Sequence, residues 1–200
     1  SLIHDDLPAM DNDDFRRGQP TCHKKYGDDI AILAGDTLNT SAFELLATEL
    51  PLHIPANTCI TIIKELAHAS GIHGMSGGQT LDLKSPTKRT HDYLLNTHKL
   101  KTGAMLQACI TLPALLSAKT QDQQGLFSQL GQHIGLLFQK VDDILDVKGT
   151  AKDLGKTPNK DAKQKKLTYV THFGLEQAEQ FAQEEAKKAH AILDKLATYD

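Results

Sequence analysis

Cysteine is scarce: Cys22, Cys59 and Cys109 are the only three in 200 residues. They are far apart, form no C-x-x-C and are odd in number. That excludes a disulfide framework and reads as reduced, structural thiols of a cytoplasmic protein. No apolar run approaches the roughly 18–20 residues of a membrane span. An excess of one charge is also lacking. The net charge of −3 supplies no field for nucleic acid or an acidic bilayer. The ten histidines include no H-E-x-x-H and no paired Cys/His spacing, which excludes a zinc site. Gly155-Lys156-Thr157 lacks the upstream glycine and strand of a P-loop, and Asp11-Asn12-Asp13 runs into Phe15-Arg16 where an EF-hand needs a glycine and a further ligand. Strand alternation persists nowhere, and there is no repeat at solenoid period. An initiator Met is missing too. Ser1 reads as the middle of an element, so residues 1–200 are expected to be one partial domain without its N-terminal helices.

What is present is helix. Ser1–Met10 begins helical and should loosen at Pro8, which disfavours α geometry at Leu7. Arg16-Arg17-Gly18-Gln19-Pro20 reads as a basic loop. Asp29–Leu50 is a long apolar helix ended by Pro51, with Ala34-Gly35-Asp36 small enough for close helix approach. Pro55–Ser70 follows, with Gly71 as its stop. Gly71–Asp82 is glycine-rich, which suits tight packing or a kink. Lys84–Arg89 is a polar loop, and Thr90–Ala118 is a helix interrupted around Lys99–Gly103. Gln121–Val147 is the second long helix. A wheel at about 100° per residue gathers Ile134, Leu137, Phe138, Val141, Ile144 and Leu145 on one face. Gln139, Asp142 and Asp146 fall on an adjoining stripe, while Lys140 and Asp143 point outward. Gly149–Lys166 is a lysine-rich loop, and Leu167–Phe173 and Leu175–Ala197 flank Gly174 as amphipathic helices. The expected fold class is all-α.

Two acidic clusters carry the chemistry. Asp5 and Asp6 precede Asp11, with Arg16 and Arg17 behind them, and Asp142, Asp143 and Asp146 repeat the theme. Asp5 and Asp11 are six apart and would not share a face of a regular helix, so a bulge at Leu7–Ala9 is needed to join them. Asp142 and Asp146 lie one turn apart. Unit charges at 4 Å repel by about 1 kcal/mol in water and about 4 kcal/mol at an effective dielectric near 20. Solvent relieves that repulsion, and so does a divalent cation. Mg²⁺ takes carboxylate oxygens and completes its octahedron with water and substrate phosphates, which arginine grips bidentately. Arginines after the first cluster and lysines after the second favour Mg²⁺ bridging a polyphosphate. His4 and His98 are further candidate ligands, with core or surface placement as their other reading.

Asp5-Asp6-Leu7-Pro8-Ala9-Met10-Asp11 with Asp14-Phe15-Arg16-Arg17-Gly18 resembles the first aspartate-rich motif of bacterial trans-prenyltransferases. Phe138-Gln139-Lys140-Val141-Asp142-Asp143-Ile144-Leu145-Asp146 resembles the second. Gly77-Gly78-Gln79-Thr80-Leu81-Asp82-Leu83, Lys101-Thr102-Gly103, Gly155-Lys156-Thr157 and Lys166-Leu167-Thr168-Tyr169 match further family segments in order. The resemblance implies an isoprenoid-synthase helical bundle around a central cavity, usually a cytoplasmic homodimer. It implies condensation of isopentenyl diphosphate with dimethylallyl or geranyl diphosphate, the nearest wording being that of farnesyl diphosphate synthesis. Geranylgeranyl synthesis, a terpene cyclase and a silent subunit of a heteromeric synthase are the other readings, and the intact second cluster argues against a cyclase. By family analogy Asp5, Asp11 and Asp142 hold about three Mg²⁺ ions, with Asp6 and Asp146 supporting. Arg16, Lys101, Lys156 and Lys166 would hold the allylic diphosphate, and Arg17 the isopentenyl diphosphate. Thr102 and Gln139 would face the carbocation. The family's upstream isopentenyl-binding Gly-Lys-x-x-Arg segment and histidine have no counterpart here. The residue five before Asp5, which helps set product length, falls before Ser1.

Overall fold

The computed structural model describes residues 1–84, 90–117, 119–149 and 167–199. Its helices are α1 Leu2–Asp5, α2 Cys22–Tyr26, α3 Asp28–Glu49, α4 Ala56–Ser70, α5 Met75–Leu83, α6 His91–His98, α7 Ala104–Leu116, α8 Gln121–Lys148, α9 Tyr169–Phe173 and α10 Leu175–Leu196. A π turn, Lys99–Gly103, joins α6 to α7. Strand is confined, among the described residues, to a hairpin, β1 Phe15–Arg16 paired antiparallel with β2 Gln19–Pro20. The fold is all-α, and the long helices stand close to their expected ends. In place of the basic loop expected at residues 16–20, the chain forms that hairpin. Arg17 and Gly18 both adopt positive φ (54° and 75°), the conformation that a tight two-residue hairpin turn requires. All three cysteines are free. No helix among the described residues is long and apolar enough to cross a membrane.

The chain divides into two compact units, one built on Ser1–Cys59 and the other on Ile60–Lys148 with the C-terminal helices. In the first, α1 lies against α3. A Cβ at Gly35 would stand 2.2 Å from Nε2 of His4, so the glycine makes room for the imidazole. His4 in turn bonds the Ile32 carbonyl at 2.9 Å. Its role is that of a packing residue. Gly27 (φ 95°) breaks the chain between α2 and α3, and Asp28 and Asp29 open α3, where the helix dipole favours negative charge.

In the second unit α8 is flanked by α7 on one side and α10 on the other. The α10 seam runs Ala178, Ala182, Glu185, Ala189, Ile192, the alternating four- and three-residue spacing of a coiled-coil stripe. It packs on Leu130 and Ile144, with Leu94 and Tyr169 completing the upper layer. On the α7 side, a Cβ at Gly131 would stand 2.8 Å from Cα of Gln107, and one at Gly135 2.7 Å from Cα of Gly103. Burial on two sides corrects the single-face reading of α8. Phe138, Val141 and Leu145 are exposed, whereas Lys140 and Asp143, expected to point outward, are buried.

Lys140 remains buried because it is paired. Its Nζ donates to Glu185 Oε1 at 3.0 Å and stands 5.1 Å from the Tyr169 ring centre. Glu185 also bonds Nδ1 of His133 at 2.7 Å. Burial lowers the Lys140 pKa against the opposing pull of Glu185. Burial pushes Glu185 upward, but the hydrogen bonds from His133 and Lys140 prevail and hold it below the usual carboxylate range.

Candidate functional site

The first aspartate cluster is placed by a backbone turn. α1 ends at Asp5, and Pro8 prevents its continuation. The N–H groups of Met10 and Asn12 both donate to the Leu7 carbonyl, at 2.9 and 3.1 Å. Asp11 N–H donates to the Asp5 carbonyl at 2.9 Å, and Asp13 N–H to that of Asp6 at 3.1 Å. The bulge that the six-residue spacing demands is therefore present, and it joins Asp5 to Asp11 through their backbones. Both side chains are half-buried.

The hairpin then brings Arg16 back onto Asp6. Arg16 Nε donates to both carboxylate oxygens, at 3.0 and 2.8 Å, and Nη2 donates to Oδ1 at 2.5 Å. Asp6 is only 3% exposed. Its hydrogen bond raises the Arg16 pKa, outweighing the lowering by burial. The guanidinium has five N–H donors, so bonding one carboxylate along the Nε/Nη2 edge does not exhaust it. Arg17 occupies the exposed hairpin tip.

The second cluster sits in the other unit, on continuous helix, and other elements bring it partners. A Cβ at Gly78 would stand 2.0 Å from the backbone nitrogen of Lys101, so α5 meets the π turn at backbone contact. That approach lets Lys101 Nζ reach Asp82 Oδ2 at 2.6 Å. Lys101 and Thr102 leave a turn wider than α, a distortion found frequently at functional sites. Thr102 Oγ1 donates to Gln139 Oε1 at 2.9 Å, and Gln139 Nε2 donates to Asp143 Oδ1 at 2.9 Å. The other Asp143 oxygen accepts the Tyr169 N–H at 2.7 Å. Asp142 is half-buried, and Asp146 is buried.

Thr102 and Gln139 are thus bonded across the π turn and α8, with Lys101 adjoining Thr102 and Asp142 one turn beyond Gln139. Lys156 and Lys166 lie outside the described residues. His98, the other candidate ligand, is buried beside the Tyr169 ring, 5.4 Å between centroids. Burial lowers its pKa to about 4, which suits a neutral core residue. A cavity of about 550 Å³ lies between α4, the π turn, α7 and α8, lined by His68, His73, Lys99, Gln107 and Gln132 among others, and none of the sequence-predicted site residues that are described lines it. Asp82 and Asp143 are partners to which the sequence assigns no role. Asp82 is visible there only as part of a motif, and the wheel turns Asp143 away.

As donors for a divalent cation, Asp5, Asp11 and Asp142 fit: they are hard oxygen ligands of the kind Mg²⁺ takes, and none of the three is fully buried. Among the described residues no three His, Cys, Asp or Glu side chains converge into a complete metal cage. One or two protein carboxylates per ion, with substrate phosphate and water completing the shell, is the usual Mg²⁺ arrangement.

Tightly packed helices carrying two aspartate clusters and a Lys-Thr/Gln group define the isoprenoid-synthase class, and comparison bears this out. The polyprenyl synthetase family profile matches residues 1–197. The chain belongs to that family. The farnesyl diphosphate synthase of Escherichia coli is 47% identical over 200 residues, covering 98% of this chain and 67% of that one. A dimethylallyltranstransferase of Fischerella ambigua is 45% identical, covering 98% and 58%. The geranylgeranyl diphosphate synthase of Cyanophora paradoxa is 44% identical, covering 98% and 67%. The crystal structure of a Helicobacter pylori geranyltransferase complexed with magnesium and isoprenyl diphosphate superposes with a TM-score of 0.88 at 36% identity, covering 98% of this chain and 63% of that one. The chain therefore spans between 58% and 67% of the length of these relatives.

Proposed function

We propose that the chain carries the catalytic centre of a Mg²⁺-dependent trans-prenyltransferase that condenses isopentenyl diphosphate with dimethylallyl or geranyl diphosphate. The observation that carries this reading is the bonded Thr102–Gln139 pair, with Lys101 adjoining it and Asp142 one turn along α8. One cation and two neutral oxygen-bearing side chains stand in the neighbourhood of a carboxylate fit for metal. Asp5, Asp11 and Asp142 are the proposed Mg²⁺ ligands, with Asp6 and Asp146 behind them. Bound Mg²⁺ would neutralise the diphosphate and improve it as a leaving group.

The protein groups then divide the work. Lys101, oriented by Asp82, and Arg16, oriented by Asp6, hold the allylic diphosphate, joined by Lys156 and Lys166. Arg17 holds the isopentenyl diphosphate. Thr102 and Gln139 direct oxygen dipoles at the allylic cation as the C–O bond breaks, which stabilises charge that develops only in the transition state. The isopentenyl double bond forms the new C–C bond, and the proton lost from the adjacent carbon goes to the departing diphosphate.

We take farnesyl diphosphate as the product and a homodimer as the assembly. Geranylgeranyl diphosphate is the second reading, favoured by relatives of both product types. The test is to incubate the whole protein with labelled isopentenyl diphosphate and geranyl diphosphate, in Mg²⁺ or EDTA, and to size the prenyl alcohols. A metal-dependent farnesyl product is expected. A geranylgeranyl product keeps the mechanism and changes the product, whereas no chain growth by folded protein in Mg²⁺ overturns the reading. Light scattering at assay concentration tests the dimer.

A further inference from the structure

Asp143 lies within the second aspartate cluster, yet its two oxygens face inward. One accepts from Gln139 Nε2 at 2.9 Å and the other from the Tyr169 backbone N–H at 2.7 Å. It is 2% exposed, and the two donors reach it from different elements, α8 and the start of α9. The chemistry of this geometry is one-sided. An ionised carboxylate only accepts, whereas an amide has a donating end and an accepting end. With the carboxylate on one side, Gln139 must turn its NH₂ there and present Oε1 to the other side, where Thr102 Oγ1 donates to it. Thr102 cannot impose that choice, since a hydroxyl both donates and accepts.

We propose that Asp143 is a positioning residue that sets the polarity of the Gln139 amide, so that oxygen rather than N–H stands beside Thr102. The catalytic consequence rests on the prenyltransferase reading above. An oxygen there stabilises an allylic cation, whereas an N–H dipole repels it. The rotamer of Gln139 can be the same in both orientations, so the discrimination resides in the end-for-end sense of one amide. Asp143 is thereby distinguished from Asp142, its half-buried neighbour and proposed Mg²⁺ ligand.

Asp143→Asn in the whole protein tests this function. The backbone N–H of Tyr169 cannot reverse, so the oxygen of the introduced amide stays with it and the introduced NH₂ faces Gln139. Gln139 can then turn over, accepting from that NH₂ and donating to Thr102 Oγ1, with each of these hydrogen bonds kept. The polarity is inverted while these two contacts are kept. Two measurements read this. With ¹⁵N-glutamine and methyl-labelled threonine, the nuclear Overhauser contact between the Gln139 NH₂ and the Thr102 methyl should strengthen in the variant. In the prenyl transfer assay kcat should fall about a hundredfold, with KM for geranyl diphosphate within about twofold and the Mg²⁺ concentration for half-activity unchanged.

An unaltered amide contact overturns the proposal. So does a rightward shift in Mg²⁺ dependence without amide inversion, which would make Asp143 a metal ligand. Inversion with undiminished kcat would leave the polarity assignment standing. It would overturn the catalytic consequence and, with it, the role given to Gln139, while chain growth itself tests the wider functional reading. Should Asp143→Asn melt below the assay temperature, the pairing is read from Gln139→Glu. That change alone sets carboxylate against carboxylate and should lower the unfolding temperature. Adding Asp143→Asn to it supplies an NH₂ that faces the new carboxylate and should raise the unfolding temperature again. No recovery in the double variant overturns the pairing.

Discussion

The two aspartate clusters are positioned by opposite means. At the first, the chain over residues 1–20 supplies nearly everything itself: Pro8 stops the helix, backbone bonds tie Asp11 to Asp5, and the tight hairpin returns Arg16 to Asp6. At the second, a straight helix offers only its pitch, and partners arrive from α5, the π turn and α9. A locally built site withstands distant change and fails when its own turn is altered. A site assembled from packed elements fails when any of those elements moves.

The largest effect should come from removing proposed metal ligands. Asp5→Ala or Asp142→Ala is expected to lower turnover about a thousandfold or more with little change in thermal unfolding. Near-normal turnover in either variant would end the parallel between the clusters. Next is Arg16→Met, which leaves a buried Asp6 carboxylate without its cation. Breaking a buried pair costs about 3–5 kcal/mol, and the partial exposure of Arg16 sets the expectation near the lower end. Urea unfolding reads it, and a loss under about 1 kcal/mol would show that the turn does not depend on the hairpin.

The second unit should be sensitive to acid. His98, with its pKa lowered to about 4 from 6.5, stays neutral when folded, while the unfolded chain takes up a proton below about 6.5. Stability should therefore be full above that pH and fall as pH drops from 6.5 toward 4. The full shift corresponds to about 3 kcal/mol. The lowered Glu185 pKa adds a loss of the same sign, beginning near the ordinary carboxylate value and growing toward the folded-state one. His98→Phe should flatten the histidine part of the profile, and an unchanged slope between pH 6.5 and 4 would remove His98 as its source. Smaller again is Gly78→Ala. Its methyl meets the Lys101 backbone, so overpacking of about 1–3 kcal/mol is expected, together with a loss of activity through displaced Lys101. Full activity would show that the π turn has slack.

The same contrast explains what is legible in the sequence. Pro8, the Asp5–Asp11 spacing and the small Ala34-Gly35-Asp36 run describe local constraints, and all three are informative. The interruption at Lys99–Gly103 is also visible, because glycine and lysine stand where the apolar period lapses. On α8 the wheel fails, since it assumes one buried face and α8 has two. Lys140 and Asp143 lie on faces that only a neighbour can bury, and those neighbours, Glu185 and Tyr169, are 45 and 26 residues away. No local pattern announces such a partner. The short hairpin at Phe15–Pro20 escapes sequence reading because two paired residues per strand are too few to show alternation.

The wide turn at Lys99–Gly103 leaves this chain intolerant of an alteration that loops elsewhere absorb. It holds α6 and α7 out of phase with a single uninterrupted α-helix. Deleting one residue from it would let α6 and α7 fuse in phase, a gain in regularity that local helix energetics would favour. The same deletion would swing Lys101 and Thr102 around the helix axis, away from Asp82 and Gln139. Exchanging residues in this stretch can keep those two bonds, whereas a change in its length cannot, because the length sets the direction in which Lys101 and Thr102 leave the helix.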